Sequence, residues 1–193
     1  MIQIIIRDEN DRYSVAVLVQ MAVEGGCRWI RIDLPDADEA YMLELGEQIV
    51  PLCREAGVIL TIDNHPDIAR KLGLHGVHVS DKALNPVALR EELGPEAVIG
   101  VTVADVGTAL AMAKADIDYV QLNDDFDAER IAAFMVDLRQ VNPSYPVVAA
   151  GDEYAAAIDA LLALGVSGVA VGAPMYKADD PVAATEKLMA QIG

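Results

Sequence analysis

Cations are scarce in this chain. Lys and Arg number 14 against 31 Asp and Glu, a formal net charge of −17. So acidic a surface repels nucleic acid and anionic membranes, which sets both aside as partners. Cysteine is nearly absent. Cys27 and Cys53 fit neither a metal-ligand nor a disulfide spacing, and each lies in an apolar segment, so plain burial is expected for both. No apolar run approaches the ~20 residues that span a bilayer. The run 2–6 is too short for a signal peptide and no basic stretch precedes it, so a cytoplasmic address is expected. No Pro/Ser-rich linker or low-complexity tract divides the 193 residues, and their 53% hydrophobic content is ample for one buried core and short for two. The patterns His-x-x-x-His, Gly-x-Ser-x-Gly and Cys-x-x-Cys do not occur either.

What is present is one unit, repeated. In LTIDNHPDIARKLGLHGVHVSD, residues 60–81, a short β-rich run ends in Asp63-Asn64-His65. Pro66 suits the first turn of a helix over 67–72, and Gly73 stops it. A second apolar run, 77–79, ends in Ser80-Asp81. Two strands ending in polar side chains, with a helix between, make one βαβ turn of a parallel sheet that can carry chemistry at its strand C-termini. The alternation predicts strands at 2–6, 27–32, 58–62, 76–79, 97–102, 117–122, 146–150 and 167–171. It predicts helices at 13–24, 38–56, 67–72, 86–93, 105–114, 127–140, 153–164 and 181–192. Pro51 is expected to kink or break the second helix, and Asn85 to cap the fourth. Eight such units argue for an α/β fold, a (βα)8 TIM barrel with short loops and a single domain over 1–193. An open doubly wound sheet is the alternative. It would show a Gly-rich phosphate loop after strand one, where this chain has Arg7-Asp8-Glu9-Asn10.

In such a barrel the site lies at the strand C-termini. That topology nominates Arg7, Arg31, Asp33, Asp63, Asn64, His65, Ser80, Asp81, Thr102, Gln121, Asn123, Asp124 and Asp152, with the backbone around Gly151 and Gly172. A ring of carboxylates binds a cation or lies solvated on loops, and any single acid reads equally as a helix cap. Asp63 and Asp81 stand out because each directly follows a strand. His78 alternates with Gly76 and Ser80, so it points inward as a hydrogen-bonded packing residue. His65, in a loop before a helix, is the better candidate for chemistry, and His75 faces outward. Strand eight closes on Gly172-Ala173, where free backbone N–H groups can meet an anion, although small residues also end strands for packing reasons.

Several segments, taken in order, resemble a known family. They are Asp63-Asn64-His65 with Pro66-Asp67-Ile68-Ala69, Gly76-Val77-His78-Val79, Gly100-Val101-Thr102, Asp118-Tyr119-Val120 and the runs 146–149 and 165–171. From about Gly25 to the C-terminus their order and spacing are similar to thiamin phosphate synthase and its relative, the thiazole tautomerase. No single motif is specific; the ordered series is. The resemblance implies a transferase of thiamin biosynthesis that joins a pyrimidine diphosphate to a thiazole phosphate with Mg²⁺ and releases diphosphate. Residues and resemblance together nominate Asp63, His65 and Thr102 as catalytic. They nominate Arg31, Asp33, Asn64, Asn123, Gly151, Gly172 and Ala173 as ligand- or phosphate-binding, and Asp63 and Asp81 as Mg²⁺ ligands.

The chain also departs from the family pattern. Where the family carries Gln-x-Arg-x-Lys to grip diphosphate, this chain has Arg31, Asp33 and Pro35. The family's metal-binding aspartates fall on Asn64 and Ala83. Its Ser after strand five is Thr102, its Thr-x-Thr-Lys loop is replaced by Asn123-Asp124-Asp125, its Gly-Gly after strand seven is Gly151-Asp152, and the tautomerase His falls on Ala104. Diphosphate chemistry needs cations and metal-binding carboxylates held together, and this mouth exchanges cations for carboxylates. Three readings stay open. One is an active synthase with Mg²⁺ on Asp63 and Asp81. The second is a barrel whose synthase activity is weak or lost and which binds a small molecule or a protein partner. The third is a divergent isomerase or lyase with Asp63 or His65 as general base. The expected partner is a small-molecule ligand, and homo-oligomerisation stays open.

Overall fold

The computed structural model describes residues 1–122 and 125–192. Strands and helices alternate along the chain. They run β1 (Ile2–Ile6), α1 (Val15–Glu24), β2 (Trp29–Ile32), α2 (Glu39–Glu55), β3 (Ile59–Asp63), α3 (Pro66–Leu72), β4 (Gly76–Val79) and α4 (Pro86–Leu93). Then come β5 (Val98–Val103), α5 (Val106–Lys114), β6 (Tyr119–Leu122), α6 (Ala128–Val141), β7 (Val147–Ala150), α7 (Ile158–Ala163), β8 (Gly168–Val171), α8 (Ala173–Tyr176) and α9 (Pro181–Met189). Every strand pairs parallel with its neighbours in chain order. The ring closes where β1 meets β8, with Gln3 opposite Ala170. The expected (βα)8 barrel is the architecture found.

Both faces of each strand are buried, which is why the strands read as near-continuous apolar runs. In β1, Ile2, Ile4 and Ile6 pack outward with Leu18, Val19 and Ala22 of α1 in the layer between barrel and helices. Ile5 turns inward to a smaller cluster with Trp29, Tyr119, Val148 and Ala170. Trp29 and Tyr119 meet edge to face there, centroids 5.1 Å apart. Small residues make room for these rings. A Cβ on Gly100 would lie 2.0 Å from the Tyr119 ring, and one on Gly76 only 1.9 Å from the Val98 carbonyl oxygen.

Much of the acid excess is local. Asp38, Asp105, Asp127 and Asp180 each accept an amide of the first turn of α2, α5, α6 and α9, as Ser14 and Asn85 do for α1 and α4. Cys27 and Cys53 are buried free thiols, and burial pushes both up to about 11, so neither is a thiolate.

Two local expectations are corrected and one element is added. Pro51 does not end α2, which continues to Glu55. Its ring lies on the exposed side, and Glu47, whose carbonyl loses its helical donor, is exposed to water as well. The helix expected over 153–164 is two pieces, a 3₁₀ turn Asp152–Ala156 and then α7. The break lets Tyr154 bury its ring and donate its hydroxyl to the Phe126 carbonyl. Finally, the chain after β8 forms the short helix α8 directly, with Gly172 as its N-cap position.

Gly76→Ala tests the close approach of β4 and β5. The obstacle is backbone, which cannot rotate away, so a loss of about 3 kcal/mol is expected, read as a lower midpoint in urea unfolding. An unchanged midpoint would show that the two strands separate freely.

Candidate functional site

At the C-terminal ends of the strands the barrel opens into a cavity of about 430 Å³. Its charged lining is Arg7, Arg31, Asp33, Asp63, Asp152 and Glu153, two guanidiniums against four carboxylates. A second cleft of about 530 Å³ adjoins it through Arg7 and Asp33 and runs out over Asp8, Glu9, Asp36 and Tyr41. Nothing in the sequence pattern marks that cleft, since its shape comes from two loops meeting.

Inward alternation on β2 and β3 sets the floor. Arg31 is 2% exposed and Asp63 is 6% exposed. The Arg31 Nη1 donates to Gln121 Oε1 at 2.6 Å. Its Nε lies 3.0 Å from Asp63 Oδ1, yet neither atom has a hydrogen-bond partner. The contact is therefore an ion pair whose N–H is not aimed at the oxygen. Such a pair compensates a buried carboxylate only in part. Burial accordingly pushes the Asp63 carboxyl up, to about 7, against the opposing pull of Arg31 and with a small addition from Asp33. Asp33 stands one step further out and accepts from Arg7 Nε at 2.7 Å.

His78 faces Asp63 across the β3–β4 ladder. Its Nδ1 lies 3.0 Å from the Tyr119 hydroxyl and its Nε2 2.8 Å from Thr102 Oγ1. Burial, with help from Arg31, holds the imidazole well below its ordinary pKa, so it is neutral, one nitrogen donating and the other accepting. The expectation of an inward, hydrogen-bonded His78 holds, and the structure adds that it lines the cavity beside Ser80, Thr102 and Gln121.

Other nominated residues sit elsewhere. His65 occupies the N-cap position of α3, half-buried and without a capping bond, outside the cavity lining. Asp81 is on an exposed turn, its Oδ1 accepting from the Ala83 amide at 2.8 Å, and it too is outside the lining. The structure does not bring Asp81 to Asp63 as a pair of metal ligands. Asn64 adopts a left-handed φ of 56° and staples two loops together. Its Nδ2 donates to Ser80 Oγ at 2.8 Å, and its Oδ1 accepts the Ser80 and Asp81 amides at 2.9 Å each. Among the described residues, no group of three or more His, Cys, Asp or Glu could hold a metal ion. Asn123 lies outside the described residues.

The amides expected to be free are engaged. Gly151 donates to Ala170 O at 3.1 Å, continuing the β7–β8 ladder. Gly172 and Ala173 both donate to Asp152 Oδ1, at 2.7 and 3.1 Å. Local sequence did not reveal this, because Asp152 is on the neighbouring unit, 20 residues from Gly172. Lys177, another cation near this rim, is held by Glu9 at 3.2 Å.

Comparison with known proteins gives a consistent picture. Residues 2–174 match the family model described as thiamine monophosphate synthase. The thiamine-phosphate synthase of Bacteroides thetaiotaomicron is 31% identical over 196 residues, covering 95% of this chain and 94% of that protein. That of Laribacter hongkongensis is 32% identical over 183 residues, covering 91% of this chain and 86% of that protein. The solved thiamine phosphate pyrophosphorylase from Pyrococcus furiosus superposes with a TM-score of 0.84 at 25% identity, covering 99% of this chain and 94% of that one.

The raised Asp63 carboxyl has a signature in stability. A carboxyl protonated more readily in the folded chain than in the unfolded one adds stability at low pH, and loses it as pH rises from about 4 through about 7. Asp63→Asn cannot titrate, and all other groups are shared. The melting temperature of Asp63→Asn minus that of the native protein is expected to rise between about pH 5 and about pH 8. A flat difference over that interval would mean that Arg31 outweighs burial and keeps Asp63 ionised in the folded chain.

Proposed function

The chain belongs to the thiamine monophosphate synthase family, and from that premise we propose that it binds a small molecule at the barrel mouth while forming little or no thiamin phosphate. One observation carries this reading: both guanidiniums of the mouth are already matched by carboxylates, Arg7 by Asp33 and Arg31 by Asp63. Release of diphosphate puts negative charge on the leaving group, and preorganised cations aimed at that charge supply much of the catalysis. Here Arg31 is turned into the barrel toward Gln121 and Asp63, and Asp33 adds a negative charge at the rim. The two guanidiniums that line the cavity are engaged with the protein's own carboxyl groups, and neither is aimed at an incoming diphosphate.

The Mg²⁺ that the family resemblance implies does not fit the residues nominated for it. Asp63 is committed to Arg31, Asp81 to its own turn, and the oxygen of Asn64 to two backbone amides. Mg²⁺ needs oxygen ligands converging at about 2.0–2.1 Å, and these three side chains are turned to other partners.

A second reading draws on Asp63 itself. A buried carboxyl that titrates near neutrality, on the floor of a cavity beside Ser80 and Thr102, suits proton abstraction. It makes the chain a divergent isomerase or lyase of the same lineage, with Asp63 as base and His78 and Thr102 as neutral hydrogen-bonding groups. His65 has no geometric support for that role, since it stands outside the cavity lining.

The assay is direct. Purified protein is given the pyrimidine diphosphate, the thiazole phosphate and millimolar Mg²⁺, with an authentic family synthase in parallel. Loss of even one charge-stabilising donor commonly costs ~10²–10³ in rate, and a deficit of at least that size is expected. Turnover within about tenfold of the control would defeat the proposal. It would mean that Arg7 or Arg31 leaves its carboxylate when substrate arrives.

A further inference from the structure

We propose that Asp152 determines the ligand class of the mouth by occupying, with its own carboxylate, the backbone amides that would otherwise receive an anion. The inference rests on the reading of the mouth as the ligand site and deepens it. In barrels of this kind the loops after the seventh and eighth strands, with a short extra helix, frequently make a phosphate site. This chain has those parts: β7, β8 and the short α8. Yet Asp152 Oδ1 sits on both the Gly172 and Ala173 amides, at 2.7 and 3.1 Å, in the manner of a bound anion.

A second carboxylate reinforces it from an independent direction. The Glu153 carboxylate lies against Gly151, so close that a Cβ built on Gly151 would be 2.8 Å from both of its oxygens. Gly151, Asp152, Glu153 and Gly172 all line the cavity. A phosphate approaching this edge meets two negative charges and finds the two amides already satisfied. A hydroxyl, an amide or an ammonium group meets carboxylates able to accept its hydrogen bonds. The ligand end that reaches β7 and β8 is therefore uncharged or cationic, such as a heterocyclic alcohol or amine, and not a phosphate monoester. Sequence numbering hides this, because the same position carries glycine in the family pattern and a glycine leaves those amides open.

The experiment follows backbone amides of the full chain by NMR with inorganic phosphate as probe. In the native protein the Gly172 and Ala173 signals are expected to stay in place as phosphate is added. In Asp152→Gly they shift and saturate, with affinity at least about tenfold above native. Asp152→Asn keeps an acceptor oxygen and removes the charge, so it is expected to fall between the two. It also serves if the glycine variant loosens the 3₁₀ turn. Saturable phosphate shifts at these amides in the native protein, as tight as in Asp152→Gly, would overturn the inference. So would two folded variants that gain no phosphate binding. Titration of the native protein with the unphosphorylated thiazole alcohol, read at Thr102 and Gln121, tests the mouth separately. If those signals never move, the reading of the mouth fails while the phosphate comparison still decides the role of Asp152.

Discussion

A guanidinium inside a β-barrel constrains everything around it. At 2% exposure the Arg31 guanidinium has almost no water. Its surroundings must supply acceptors, and they do so from across the barrel and from the adjacent strand: Gln121 on β6 with a direct hydrogen bond, Asp63 on β3 with charge. The same positive charge helps to keep His78 neutral and bears on the Tyr119 phenol, whose ionisation burial opposes. His78 in turn bridges Tyr119 and Thr102. The polar floor of the mouth is thus one connected set of groups, and disturbing one member changes what its neighbours must satisfy.

The acidity of the chain has two separate physical meanings. On the outer layer many acids are structural, closing helix N-termini where unpaired amides need an acceptor. At the mouth they are placed against the few cations and against backbone amides. The first group explains composition without function. The second bears on the proposed function, since Asp33 pairs with Arg7 and Asp152 accepts the Gly172 and Ala173 amides.

Fold and chemistry place separate demands on this chain. The barrel demands buried faces, small residues where rings cross and caps on the helices, and the chain meets those demands with about 31–32% identity to curated synthases. Chemistry depends on a handful of side chains at the strand ends, whose replacement leaves packing intact. Family membership therefore speaks strongly for the barrel and more weakly for the reaction.

The sequence by itself determined the eight strands, most of the helices, their order and the end of the barrel that carries polar groups. Those follow from periodicity, from punctuation by Gly73, Pro66 and Asn85, and from strands buried on both faces. Such signals are local, each readable within one βα unit of the chain. The resemblance carried in the ordered motifs was legible for the same reason. Only the tertiary structure decided which polar groups meet. Asp63 and Asp81 look alike in sequence, each just after a strand, yet one enters the barrel and the other closes a surface turn. The amides of Gly172 and Ala173 look free until the chain closes and Asp152, from the preceding unit, lands on them. Partnership of this kind depends on the register and shear of a closed sheet, which no single unit encodes, because a strand's neighbours are supplied by segments tens of residues away.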